Sequence, residues 1–591
     1  MANTGRGQST LVTITNIWRY NQTEALAGTN WTLPNFDDSG WPSGPALLYV
    51  EDNAAVSPRN TALTDGRTTY YFRAQFNFSG TPALPVLTFS NRVDDGAVFY
   101  LNGNEIQRLR MAAVPATIDY ATLASSLPPG GDATAWDVFS IPATNLLVGQ
   151  NTLAVEVHQQ ATNSSDIVFG SALSLGNPSV VRGPHLQSGT PASVVVRWRT
   201  DLVTDSVVRF STNLSNLNGQ VGDAVSTIEH EVMLSGLVPG TKYFYSVGSS
   251  AGPIAGGDTN FFFVTSPVPG TPKPTRIWVI GDAGTADGNQ AAVRNAYYNF
   301  TGTRHTDLWL MLGDNAYNGG TDLEYQSAVF NVYQTMLRKS VLWSTLGNHE
   351  TDQSPVFTNS YPYFNIFTLP TNGIAGGLAS ASEHYYSFDY ANIHFVCLDS
   401  MTADTAQNRQ TNGPMATWLR ADLLSTTNTW LIAFWHHPPY TKGSHNSDTE
   451  VELIEMRQNF LPILESAGVD LVLSGHSHCY ERSYLIDGHY GLSTNLSAKM
   501  VLNGGSGRET NALGAYTKWA SGPQSHQGTV YAVAGSSGKI SGGTLNHPAM
   551  FVSLNLLGSL VLDVDGDRLD AKFIRENGAT NDQFTIVKRD V

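Results

Sequence analysis

Five short polar motifs lie in order along the sequence: Gly281-Asp282-Ala283-Gly284, Gly313-Asp314-Asn315-Ala316-Tyr317, Gly347-Asn348-His349-Glu350, His436-His437-Pro438-Pro439 and Gly475-His476-Ser477-His478. Together they supply carboxylates, imidazoles, an amide oxygen and a phenol, the hard and borderline ligands of metal ions. Two cations about 3.5–4 Å apart need a shared ligand, and a carboxylate bridges them well. Spacing along the chain leaves open which donor would serve which ion.

Each motif follows a short apolar run: 276–280, 307–312, 341–346, 430–435 and 469–474. Runs of that length, rich in Val, Ile, Leu and Trp, predict buried strands. Helix-like segments, such as 322–338 and 449–468, lie between them. Strand, loop and helix in repetition predict an α/β sheet with the polar groups gathered at one strand edge. Alternation over 384–400 predicts two more strands, and 412–424, with Trp418, Leu419 and Leu423, a helix. A second sheet is expected from 530–534, 551–564 and 568–575, and 484–527 is expected to include a loop over the pocket. The glycine-rich stretches Asn503-Gly504-Gly505 and Gly535-Ser536-Ser537-Gly538 read as tight turns. The absence of GxxxxGK[ST] excludes a P-loop.

At these residues the sequence resembles the purple acid phosphatases, within the calcineurin-like metallophosphoesterases, whose pattern is GDxG, GDxxY, GNH(D/E), VxxH and GHxH. Four blocks match letter for letter; in the fourth, Ala433 stands where Val is usual. That position is a strand side chain and not a ligand. The run 475–483, GHSHCYERS, extends the likeness, which covers the chain from about residue 180 onward. The resemblance implies that Asp282, Tyr317 and His478 would hold a ferric ion. Asn348, His436 and His476 would hold a divalent ion (iron, zinc or manganese), and Asp314 would bridge the two. Tyr317 discriminates, because tyrosinate-to-iron charge transfer colours the family and most metallophosphoesterases lack a phenol there; a packed aromatic is the alternative. The implied reaction is hydrolysis of phosphate monoesters at acid pH. Hydroxide held by the metal pair would attack phosphorus in line, with no covalent phosphoenzyme. Diester or triester hydrolysis on the same metals is the alternative. His349 and His445, with Asn348, would contact substrate, and His349, His445 and Asp314 would serve catalysis. A solvated loop side chain is the other reading of His445. His437 is a candidate hydrogen-bond partner behind the ligands, and Glu350 is expected to orient the His349 ring.

A chain of 591 residues is too long for one core. Its 41% hydrophobic and 14% charged content is that of globular material and not of disorder. The net charge of −16 argues against a nucleic-acid surface and repels anionic substrates at long range, so bound metals must supply the local attraction. Two cysteines, Cys397 and Cys479, make no disulfide scaffold. No run reaches the roughly 18 apolar residues of a membrane span. The resemblance implies a secreted or periplasmic protein. The opening Met-Ala-Asn-Thr-Gly lacks a charged n-region and apolar h-region, which reads as a leader already removed.

Three units are expected, 1–178, 179–268 and 269–591. The first is all-β: strict alternation over 71–78 puts Phe72, Ala74, Phe76 and Phe78 on one face, and Asn102-Gly103 marks a hairpin. Phe36-Asp37-Asp38-Ser39-Gly40-Trp41, Val93-Asp94-Asp95-Gly96, Leu101-Asn102-Gly103 and Gly149-Gln150-Asn151-Thr152-Leu153 resemble galactose-binding-like jelly rolls. A glycan is therefore a candidate partner through Trp31 and Trp41, against core or turn packing. Asp94 and Asp95 are candidates for calcium or sugar contacts, against plain turn acids. In the second unit, strands are expected at 193–199, 206–210, 229–234, 242–247 and 260–265. The stretch 237–245 resembles a fibronectin type III corner, which implies a packing domain ahead of catalysis. The fold class is thus multidomain: a jelly-roll-like β-sandwich, a fibronectin III-like β-sandwich, and an α/β domain whose α/β/β/α layering is what the family resemblance implies. A glycan-binding protein with a decayed enzyme domain is the rival class, and the presence of every expected ligand argues against it.

Overall fold

A computed structural model describes residues 9–590 except 27, 29, 80–85, 130–132, 352–360, 402–408 and 522–524. Part of the expected segment 484–527 lies outside the described residues.

The first unit is a sandwich of two six-stranded sheets. Phe72, Phe76 and Val155 from one sheet meet Phe89 and Phe169 from the other in a single core, where Phe72 stacks on Phe169 at 4.1 Å. The alternation of Thr69–Phe78 makes this possible, because its even residues all face inward. Asn102 and Gly103 both take left-handed angles, φ 53° and 87°, and close the hairpin between Gly96–Leu101 and Asn104–Leu109. Trp31 is buried edge-on against Tyr71 (4.9 Å) and Tyr100 (5.7 Å), so it is core and not a platform for sugar. Trp41 packs on Phe36 at 5.8 Å.

In the second unit the expected strands 193–199 and 206–210 are one long strand, Ser193–Ser211, paired with Gly219–Ser235 on both sides of an irregular stretch. Register shifts between Arg199 and Ser206 absorb the polar break at 200–205 without ending the ladder. One part of the strand then pairs with Val180–Gln187 and the other with Lys242–Ser249. This unit clamps the third. Arg182 and Arg199 each make paired bonds of 2.7–2.9 Å to the Asp322 carboxylate, and the two guanidiniums hold that carboxyl well below its usual range. Gln187 donates to the Leu342 carbonyl (3.0 Å) and Tyr245 to that of Arg338 (3.0 Å). Trp198 and Tyr245 belong to the same apolar cluster as Trp278 and Trp309 of the third unit, so the two share a core.

The third unit contains two seven-stranded sheets. Thr275–Ile280, Leu308–Met311 and Val341–Ser344 run parallel in the first. Ile393–Cys397, Trp430–Trp435, Leu471–Ser474 and Val530–Ala534 run parallel in the second. Ile432 and Phe434 face the common core, while Leu431, Ala433 and Trp435 face a separate cluster with helices Pro414–Ser425 and Leu461–Ser466. On the outer face of the first sheet Trp278 stacks on Tyr297 of helix Gly288–Thr301, 4.3 Å apart. The layers are therefore α/β/β/α.

Three details differ from the sequence reading. Expected strand 551–564 is two strands, Met550–Leu554 and Gly558–Asp565, and the break at 555–557 lets the chain cross from the second sheet to the first. Arg568–Arg575 follows it into the first sheet. Within 484–527, Tyr516–Trp519 is a strand at the far edge of that sheet beside Thr580–Arg589 and not part of a loop.

Candidate metal centre

The polar motifs follow the carboxyl ends of five parallel strands, three in one sheet and two in the other. Asp282, Asp314, Asn348, His436 and His476 thus converge at a single edge, the ligand-binding edge of such sheets. Asp282, Asp314 and His476 all take left-handed backbone angles, φ 54°, 51° and 64°. Close approach of the loops depends on glycine: a Cβ on Gly347 would lie 2.1 Å from Asp314 N, and one on Gly475 2.5 Å from Asp282 Oδ2.

Two triangles of donor atoms result. In one, Asn348 Oδ1 lies 3.0 Å from both His436 Nε2 and His476 Nδ1, and those nitrogens are 3.2 Å apart. In the other, Tyr317 OH lies 3.2 Å from Asp282 Oδ1 and 3.4 Å from His478 Nε2, with 3.5 Å between the last two. Asp314 lies between them. Its Oδ1 is 3.4 Å from His436 Nε2, and it groups with Asp282 and His478, ligand atoms within 4.8 Å of one another.

These separations fit cations. Ligands at about 2.1 Å from one ion lie about 3.0 Å apart in an octahedron and about 3.4 Å apart in a tetrahedron. The first triangle is also unfavourable without an ion. His436 Nδ1 sits 2.8 Å from the Leu312 carbonyl, which places an N–H there and turns Nε2 towards the Asn348 oxygen. The remaining imidazoles are oriented the same way: His478 Nδ1 is bonded to Ser541 Oγ (2.8 Å), and His476 Nε2 faces Glu450 at 3.6 Å.

Charge points the same way. Asp282, Asp314 and Glu350 are all buried. Burial would raise the Asp282 carboxyl, but His478, His436 and His476 outweigh it and hold it low. Burial, then Asp282 and Asp314, push the Tyr317 phenol well above its usual value, so a phenolate here needs added positive charge. Lys539 Nζ stands 3.7 Å over the Tyr317 ring.

The structure brings together the residues singled out above for the metal centre and its substrate contacts. His349 bonds through Nδ1 to Asn318 O (2.6 Å), leaving Nε2 towards Asp314 at 3.9 Å. His445 lies 3.7 Å ring to ring from His476 and is held through Nδ1 by Glu450 (2.8 Å). His437 is buried behind His476, 4.3 Å away, with Nδ1 bonded to Ser400. Glu350 does not orient His349. Its two oxygens accept four backbone N–H groups, from Gly347 (2.6 Å), Asn315 (2.7 Å), Asp314 (3.0 Å) and Ala316 (3.2 Å). Sequence reasoning missed Glu450, Ser541 and Lys539. Only Glu450, at the head of an expected helix, carried any signal.

Comparison with known proteins agrees with this geometry. The calcineurin-like phosphoesterase profile matches residues 275–480 and the purple acid phosphatase N-terminal domain profile residues 181–265. Purple acid phosphatase 15 of Arabidopsis thaliana is 28% identical over 49% of this chain and 55% of its own length. Purple acid phosphatase 21 of the same plant is 30% identical over 43% of this chain and 53% of its own. The chain thus spans about half the length of the curated relatives it matches. Purple acid phosphatase PPD1 from yellow lupin (Lupinus luteus) seeds superposes with a TM-score of 0.52 at 15% identity, covering 89% of this chain and 94% of the other, a likeness of fold. Residues 181–480 thus match a purple acid phosphatase N-terminal domain followed by a calcineurin-like phosphoesterase domain, with an additional strand-rich unit ahead of them.

Proposed function

We propose that the chain hydrolyses phosphate monoesters at a dinuclear centre. Asp282, Tyr317 and His478 would hold a ferric ion; Asn348, His436 and His476 a divalent iron, zinc or manganese ion; Asp314 would bridge. The observation that carries this reading is the pair of donor triangles, 3.0–3.2 Å and 3.2–3.5 Å on edge, on either side of one buried carboxylate. Two bound cations would neutralise a phosphoester and acidify a water.

The chain's own side chains position and move protons. His349, its Nδ1–H spent on the Asn318 carbonyl, turns Nε2 towards the substrate and, as the imidazolium, would donate from it to a phosphate oxygen. His445, its Nδ1 held by Glu450, has Nε2 available to protonate the leaving alkoxide. Lys539 adds a cation at the same mouth and favours a dianionic monoester over a singly charged diester.

The test is the visible absorption spectrum and metal content of one sample, followed by nitrophenyl phosphate against bis(nitrophenyl) phosphate. A broad visible band is expected with iron present, lost in Tyr317→Phe, and the monoester should be favoured about 10-fold or more in kcat/KM. A colourless, active protein holding two divalent ions would refute the ferric assignment. A preference for the bis-ester would refute the substrate class.

A further inference from the structure

A second cluster of carboxylates lies in the first unit, where strand pairing assembles it. Strand Ile167–Gly176 is flanked by Leu48–Val50 on one side and Val86–Asp94 on the other, with Ile167 opposite Val50 and Val168 opposite Asp94. Glu51, Asp94 and Asp166 therefore stand at the ends of three adjacent strands. Each offers an oxygen within 4.8 Å of the others.

Asp94 is only 2% exposed, yet its Oδ2 is buried with no hydrogen-bond partner, and so is Glu51 Oε2. Gln159, outside the acidic group, is also 2% exposed. Its Nε2 donates to the Asp166 carbonyl at 2.5 Å, which sets the amide beside the cluster, and its Oε1 is buried without a partner. Neutral donors hold three nearby oxygens: Asn53 N donates to Glu51 Oε1 (2.6 Å), Ser164 Oγ to Asp166 Oδ1 (2.9 Å) and Gln160 N to Asp95 Oδ2 (2.7 Å).

No lysine or arginine among the described residues pairs with these carboxylates. Arg110, which grips the same turn, donates to the carbonyls of Val93 (3.1 Å) and Asp95 (2.7 Å) and pairs with Asp137. Orphaned buried oxygens with like charges around them are costly unless paired or coordinated.

We propose that Glu51, Asp94 and Asp166 bind one calcium ion that ties these strand ends together. All the donors are oxygens, as calcium prefers over zinc or copper. Calcium–oxygen distances of about 2.3–2.6 Å allow ligands of one ion to lie up to about 5 Å apart, which the cluster satisfies. The Gln159 oxygen and water complete the shell.

The test is dialysis of the full chain, its dinuclear centre loaded, against radiolabelled Ca2+, with Asp314→Asn alongside to exclude the phosphoesterase site. One ion per chain should bind in both proteins, and Ca2+ should raise the thermal midpoint. In Glu51→Gln/Asp166→Asn the affinity should fall about 100-fold and the thermal shift should vanish. Binding by the double variant equal to the parent's would overturn the proposal. Should that variant not fold, the parent decides alone: no saturable Ca2+ uptake up to millimolar concentration means the carboxylates share protons instead.

Discussion

Glu350→Gln is the most informative single substitution at the centre, because Glu350 touches neither triangle and yet fixes both loops that enter them. Its Oε2 accepts from Gly347 and Asp314, and its Oε1 from Asn315 and Ala316. Glutamine keeps one oxygen, so two of the four N–H groups would face an NH2 that cannot accept. Each buried donor left unpaired costs about 1–3 kcal/mol, which gives roughly 2–6 kcal/mol for the pair. The loops can relieve this only by parting, and Asp314 and Asn348 sit on them. Part of the cost should therefore appear as lost metal affinity, about 10- to 100-fold, and the rest as lost stability. The assay is metal content after dialysis against a graded chelator, read with the urea midpoint and nitrophenyl phosphate hydrolysis of the same samples. Excess metal should restore much of the activity but not the midpoint. Unchanged metal retention and an unchanged midpoint would refute the argument that this carboxylate organises the site.

Asp314→Asn keeps the size of the proposed bridging residue but removes its charge, so turnover should fall by about 10³-fold or more while circular dichroism stays native; activity within tenfold of the parent would sink the bridging assignment. His394 tests linkage away from the site. It is buried between Asp389 (2.8 Å) and Asp422 (2.9 Å); burial alone would lower it, but the two carboxylates win and raise it to about 9. A folded pKa above the unfolded 6.5 means the stabilisation is complete below pH 6.5 and fades as pH rises through 9. His394→Gln should therefore lose roughly 3 kcal/mol at pH 6 and much less at pH 10; equal losses in urea melts at both pH values would contradict the charged reading.

The centre was legible from the sequence because each motif directly follows a buried strand, and parallel pairing in two sheets turns sequence order into spatial convergence. What was illegible has identifiable causes. Glu350 neighbours His349 in sequence, which suggested contact. On the short helix Asn348–Thr351, however, consecutive side chains diverge by about 100°, so one faces the pocket and the other the backbone N–H groups beneath it. The runs 551–564 and 568–575 read as strands, but a strand pattern carries no partner information, so their sheet was assigned wrongly. Lys539 and Ser541 come from a glycine-rich turn with no periodicity at all, and only the close of the third unit sets them against Tyr317 and His478.

The backbone adds what side-chain patterns could not. Asp282, Asp314 and His476 each follow a glycine, and in each pair it is the proposed ligand that takes, or shares, the left-handed angle that costs a side-chain-bearing residue about 1–3 kcal/mol. Local preference would put the glycine there. It is spent instead on proximity, as at Gly475, where any Cβ would displace the Asp282 carboxylate. Three such conflicts at one sheet edge, each at a residue that aims a donor inwards, are the pattern of a fold giving up stability to orient ligands. An arrangement kept only for packing would have no cause to hold them.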